Sequence, residues 1–269
     1  MTLTPARDAA ARVPDPVPAR SLSPGLSRRA ACEFGLTALM LLAVVSGVRW
    51  LFAPDGYGGG GMAFALLGAG VGMLLGALML SAPGRCSGGH LNPAVTVALW
   101  RLGVFPGREV VPYVVAQLGG SVAGAWAAGL VWGPVVARPP VSHAVVRPGL
   151  GWGEGAVVVA EAGVLAGSAL LLAGLLGHPV GRRLLPYAVG LVTALVIGVL
   201  GPLSGGSANP ARQFGPALLS GEAGRLWVYV AGPVLGAVAG AGLCRRAGVG
   251  LRRRLGAGLT LPPVRPRQP

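Results

Sequence analysis

Six long apolar runs decide what this chain can become. They lie at about 31–52, 62–82, 111–132, 156–177, 184–201 and 226–244, each roughly 18 to 22 residues, the length of helix that crosses a hydrocarbon layer ~30 Å thick. Only 11% of the 269 residues are charged, against about 25% in soluble domains. A chain so poor in charge cannot clothe a soluble surface, and the expected fold class is an all-α membrane protein whose natural partners are membrane lipids.

The charges that remain are placed, not scattered. The net charge of +14 comes entirely from arginine among the basic residues, and twelve of the arginines sit in the two tails. Six spans put both tails on one side. Counting loops as well, seventeen arginines fall on that side and five (Arg49, Arg138, Arg147, Arg212, Arg225) on the other, which orients both termini to the cytosol and favours anionic headgroups over nucleic acid. Residues 1–29 and 247–269, rich in Arg and Pro, are expected to be disordered cytosolic tails around a membrane domain spanning 30–246. Cys32, Cys86 and Cys244 are few, far apart and odd in number, and there are only three histidines. No disulfide framework, metal site or cofactor is expected.

An internal repeat organises the spans. Repeat one covers about 31–132 and repeat two about 156–244. Glu33 and Glu161 lie in their first spans, Asn92-Pro93-Ala94 and Asn209-Pro210-Ala211 follow their second, and Tyr113 and Tyr229 open their third. After the tyrosines, Gly120 and Ala123-Gly124-Ala125 match Gly236 and Ala239-Gly240-Ala241. Three spans per repeat is an odd number, so the halves insert with opposite orientation. The many small residues in the spans let helices approach closely where lipid gives no hydrophobic drive to associate.

Each Asn-Pro-Ala follows a glycine-rich stretch, Ser87-Gly88-Gly89 or Ser204-Gly205-Gly206. Asn caps helices and Pro suits a first turn, so each motif starts a helix. These helices run to Leu102 and Ser220, about 15 Å, or half the hydrocarbon thickness. One Asn-Pro is an ordinary turn dipeptide; two, at matching places in an inverted repeat, describe half-helices that enter from opposite faces and meet end to end. Their N-termini, each about half a positive charge, would repel cations, and the Asn amides would orient a passing oxygen. Arg212, directly after the second motif, is expected at the outer constriction rather than snorkelling to the interface. Glu33 and Glu161 are acids inside spans, costly there unless paired; a structural hydrogen-bonding role is favoured over a proton relay. His90 and Gln117 are expected to be scaffold hydrogen-bonders.

These features, over about residues 31–246, resemble the major intrinsic protein (aquaporin) family. The resemblance implies six tilted spanning helices plus two re-entrant half-helices, a passage through each subunit, Glu33 and Glu161 accepting hydrogen bonds from the loops that carry the half-helices, and a homotetramer. Carried over by spacing, it implies a constriction of Gly72, Ile197, Gly206 and Arg212, with Val71 and Met73 as neighbouring candidates for the first position. That set lacks the aromatic and the His of strict water channels. Gly201 to Ser207, Gly215-Pro216-Ala217-Leu218 and Tyr229-Val230 are similar to the plant nodulin-like branch, which implies small uncharged hydroxylated solutes: glycerol, or boric, silicic or arsenous acid, alongside water. Gln213 and Ala217 depart from the Asp and the basic residue of dedicated glycerol facilitators. The alternatives are a water-selective channel and, from a different class, a secondary transporter, for which Glu33 and Glu161 are the acids available for ion coupling. Nothing suggests an enzyme: no nucleophile set or paired carboxylates occur at usable spacing. The Ala, Gly and Arg usage without Lys points to a GC-rich, bacterial genome and an inner-membrane location.

Overall fold

Gly and Pro mark where the helices stop and start. A computed structural model describes residues 25–56 and 60–247, and every regular element among them is helical. Six helices are long and apolar enough to cross a membrane: α1 (Leu26–Phe52), α2 (Gly60–Leu80), α5 (Gly107–Trp132), α6 (Glu154–Leu176), α7 (Pro179–Leu195) and α9 (Leu226–Arg246). A π turn over Val196–Leu200 prolongs α7. Between the spans lie short α3 (Ala82–Ser87) and the half-helices α4 (Pro93–Arg101) and α8 (Pro210–Leu219). Asn92 and Asn209 cap α4 and α8, each with Pro at the first helical position. Pro112, Pro186, Pro216 and Pro233 sit inside helices.

The inverted repeat reappears as packing. α1 lies along α5, α6 along α9, and α2 crosses between repeats to α7. A Cβ added at Gly120 or Gly124 would fall 2.3 Å from the Phe34 carbonyl oxygen or 2.1 Å from that of Ala38; at the matching Gly236 and Gly240 it would fall 2.0 Å from the Ala162 oxygen and 2.5 Å from the Ala166 oxygen. The backbones therefore touch at the same two places in each repeat, which only glycine permits. Leu36, Met40, Leu41, Val44 and Val45 of α1 form the largest apolar cluster, with Ala125 and Ala128 of α5.

Three expectations change. The first helix begins at Leu26, so Arg28 and Arg29 belong to it and not to a tail. Arg29 forms an ion pair with buried Glu109 of α5 at 2.7 Å, which holds that end of the helix in place. Residues 1–24 and 248–269 lie outside the described residues. The short helix α3, capped by Ser81, has no counterpart in the sequence reading, because Ala-Pro-Gly-Arg-Cys-Ser carries no helical periodicity. Cys32 and Cys86 are not apart in space: their side chains meet where α3 packs on α1, although both are free thiols.

Gly236→Ala is expected to lower the unfolding temperature in detergent, with a loss of 1–3 kcal/mol from forcing α6 and α9 apart. Gly163→Ala, with nothing within 4 Å of its added methyl, should be neutral or slightly stabilising. Thermal unfolding of the two variants beside the parent protein measures the difference.

Candidate functional site

Two buried carboxylates hold the loops that carry the half-helices. Glu33 is fully buried. Its carboxylate accepts from Ser87 Oγ at 2.7 Å, the His90 amide at 2.9 Å, the Leu91 amide at 2.8 Å and Gln117 Nε2 at 2.7 Å. Glu161 repeats the pattern, accepting from Ser204 Oγ at 2.9 Å and the amides of Ser207 and Ala208. The tyrosines complete each cradle: Tyr113 Oη donates to the Ser87 carbonyl at 2.8 Å, and Tyr229 Oη to that of Ser204 at 2.7 Å. Even the strained torsions repeat, with φ of +49° at Leu91 and +47° at Ala208. A non-glycine residue stays there only when its surroundings over-determine it, and these carboxylates do. Glu33 takes four donors and Glu161 three, and through the loop amides and hydroxyls among them the acids brace the loops.

The two motifs meet through their asparagines. Asn92 Oδ1 accepts from the Ala94 and Val95 amides, and its Nδ2 donates across the molecule to the Ala208 carbonyl at 2.9 Å. Asn209 Oδ1 accepts from the Ala211 and Arg212 amides, and its Nδ2 donates to the Leu91 carbonyl at 2.9 Å. Each side chain is thus cap and cross-tie at once. One hydrogen of each amide is spent on the tie, so each Asn keeps a single N–H for anything passing. Pro93, Ala94, Pro210 and Ala211 are buried behind the asparagines, starting the two helices.

Both asparagines line a cavity of about 180 Å³ that is apolar over most of its wall. His90, Ile197, Gly206 and Arg212 line it too. His90 Nδ1 lies 3.0 Å from Thr96 Oγ1, and its ring packs on Phe105 and Tyr113. Gln117 joins Glu33 to Thr96. Gly72 is the exception. Its added Cβ would lie 2.3 Å from the Gly190 carbonyl oxygen, so it packs against α7 and leaves the wall to its neighbour. Val71, 7% exposed, faces the cavity, whereas Met73, 73% exposed, points outward. Spacing from Asn92 puts Gly72 at this level of α2, and the rotation of the helix presents Val71 to the cavity there. Ile197 stands on the π turn, an irregularity that recurs at functional sites. Gly206 has φ of +58°, and an added Cβ would come 2.8 Å from the Val196 carbonyl oxygen, so only glycine fits.

The segment between α5 and α6 closes over this end, a role that sequence reasoning missed. Arg212 Nη1 donates to the Ala144 carbonyl at 2.6 Å. Its neighbour Gln213, 1% exposed, clasps Val146 twice, accepting from its amide at 2.8 Å and donating to its carbonyl at 3.0 Å. Arg147 pairs with Glu222 beyond α8. Ser121 of α5 holds α8 from behind, donating to the Ala211 carbonyl and accepting from the Gly215 amide at 2.8 Å. The bare sequence carried one signal for this, a Gln directly after the motif arginine.

A sequence model of the family described as "Major intrinsic protein" matches residues 20–243. The chain belongs to the major intrinsic protein family. Similar proteins include a probable aquaporin, AqpM, of Archaeoglobus fulgidus, 42% identical over 188 residues and covering 66% of this chain and 71% of its own. The propanediol uptake facilitator PduF of Citrobacter freundii is 37% identical over 51% of this chain and 58% of its own, and aquaporin NIP1-1 of Zea mays 38% identical over 60% and 55%. The solved aquaglyceroporin of Plasmodium falciparum superposes with a TM-score of 0.70 at 21% identity, covering 84% of this chain and all of that one. This member of the family is therefore a multi-pass membrane protein with the six-span fold expected of it.

Two outcomes follow from these contacts. Glu161→Ala strands the Ser207 and Ala208 amides and the Ser204 hydroxyl, and is expected to cost about 3–5 kcal/mol. Glu161→Gln, which keeps an acceptor oxygen, should cost less than half of that; thermal unfolding in detergent compares them. His143, at φ +52°, has a buried Nδ1 without a partner among the described residues. Burial holds its imidazole below the ordinary 6.5. The closed segment then binds a proton more weakly than the released one, so its closure is whole above 6.5 and weakens as pH falls below it. Hydrogen exchange at 142–147, corrected for intrinsic rate, should accelerate between pH 7 and pH 5, and His143→Gln should abolish the acceleration.

Proposed function

We propose that the chain is a passive channel for small uncharged solutes, carrying water together with polyols or metalloid hydroxides such as glycerol and boric, silicic or arsenous acid, and excluding ions and protons. The observation that carries this reading is the pair of crossed ties, Asn92 to the Ala208 carbonyl and Asn209 to the Leu91 carbonyl, at the meeting point of two helix N-termini inside an apolar cavity. Two such termini and the Arg212 guanidinium place positive potential along the passage, which opposes hydronium and metal cations. The single N–H left on each Asn orients a passing oxygen and interrupts a proton relay. The proposed constriction is Val71, Ile197, Gly206 and Arg212. With no aromatic ring and a glycine on one side, it admits a solute wider than water. The names of relatives point the same way, since one is a propanediol uptake facilitator and others are aquaporins. The four donors on Glu33 and three on Glu161 commit both carboxylates to the scaffold, which disfavours the transporter alternative.

The setting completes the proposal: a homotetramer in a bacterial inner membrane with both termini cytosolic. Stopped-flow light scattering on proteoliposomes tests the reading. Water, glycerol and boric acid should each equilibrate faster than in protein-free vesicles, with no dependence on an ion gradient. Water flux alone would overturn the claim for wider solutes, and uphill uptake driven by a gradient would overturn the channel.

A further inference from the structure

Two hydroxyls break an otherwise aliphatic wall beside the asparagines. The stretch of α6 that lines the cavity, from Val164 to Leu176, is aliphatic except for Ser168; on α7, from Leu185 to Ile197, Thr193 is the exception. Their height along the passage follows from their neighbours. Leu165 and Ala169 of α6 cluster with Ala94 and Ala98, the first turns of α4, and with Ala208. Ser168 therefore stands within about a turn of Asn92. Thr193 lies three residues before Val196, about 4.5 Å along the helix, and the Val196 carbonyl abuts Gly206, three residues ahead of Asn209. Both hydroxyls stand at the level of the half-helix junction.

Neither hydroxyl has a hydrogen-bond partner among the described residues. Helical Ser and Thr ordinarily bond back to the carbonyl four residues earlier, as Ser46 does to Leu42 at 2.8 Å and Thr96 to Asn92 at 3.1 Å. Ser168 and Thr193 are not so engaged, and what they face is the cavity.

The chemistry they add is the one the asparagines lack. With Oδ1 committed to the caps, Asn92 and Asn209 offer the passage only N–H donors. A hydroxyl accepts as well as donates. Water in single file fills its remaining hydrogen bonds with the waters ahead and behind. A polyol or boric acid takes the place of several waters and must turn its second and third hydroxyls to the wall, where an unmet hydrogen bond raises the barrier.

We propose that Ser168 and Thr193 are specificity-determining residues. They form an acceptor station facing the Asn92 and Asn209 donors, which favours solutes bearing hydroxyls on more than one side. The proposal rests on the channel reading above and names the groups that would select its solutes.

The test is the ratio of glycerol and boric acid flux to water flux in the same proteoliposomes, a ratio independent of how much protein folds. Ser168→Ala and Thr193→Val remove the hydroxyls at nearly constant or smaller bulk. Each should lower both ratios about threefold to tenfold, and the pair by more than tenfold. Thr193→Ser, which keeps the hydroxyl, should stay within about twofold of the parent by the same accounting. A purely steric passage predicts the reverse for Ser168→Ala, since a smaller side chain widens it. If the parent protein carries glycerol and neither ratio moves in the double variant, the station is wrong and the channel reading stands. If the parent carries water alone, both fall.

Discussion

Everything at the centre of this molecule depends on a carboxylate that cannot reach water. A buried acid inside a membrane bundle is tolerable only when surrounded by hydrogen-bond partners, and those around Glu33 and Glu161 are the amides and hydroxyls of the glycine-rich loops, joined at Glu33 by Gln117 of α5. The need runs both ways. The loops have no regular hydrogen bonding of their own at this depth, so their N–H groups need an acceptor. Acid and loop satisfy each other, and the strain at Leu91 and Ala208 is held by that exchange. The half-helices are then aimed at one another by parts far from the passage.

Repetition builds the scaffold, and departures from it make the site. The cradles, the capping asparagines and the glycine contacts of α1 with α5 and α6 with α9 are duplicated nearly atom for atom. The differences fall around the cavity. Glu33 receives Gln117, whereas the matching position on α9 is Pro233, so the second cradle has one donor fewer. His90 in one loop is Ser207 in the other. Arg212 and Gln213 follow the second motif and fasten Ala144 and Val146, while Val95 and Thr96 follow the first. One end of the passage is consequently charged and covered, and the two unengaged hydroxyls stand on the second repeat's helices.

Close approach of backbones matters as much as the polar ties. Glycines at 120, 124, 236 and 240 bring helix pairs into contact through their carbonyl oxygens, and Gly72 does the same between α2 and α7. That last contact turns Val71 inward and Met73 outward, so a packing requirement at one residue assigns the wall residue beside it.

Much of this was legible in the order of residues. Apolar runs of spanning length, an inverted repeat and two Asn-Pro-Ala motifs each answer to a local or periodic constraint: hydrocarbon thickness, an odd number of crossings, and the geometry of a helix N-cap. The cost of burying charge required that Glu33 and Glu161 be paired, and the family resemblance supplied the loops as their partners. What stayed hidden depended on rotation and on contacts between distant segments. A helical residue's facing turns by 100° with each step, so which of Gly72 and Val71 lines the cavity depends on the partner helix. The meeting of Cys32 with Cys86, the clasp of Gln213 on Val146 and the engagement of each Asn by the opposite loop join residues that no spacing rule connects. The sequence by itself determined which segments span and which motifs pair, because those obey the membrane and the helix. Only the tertiary structure decided which side chains face the passage and which hydroxyls remain unbonded there, because that depends on how the spans rotate against one another.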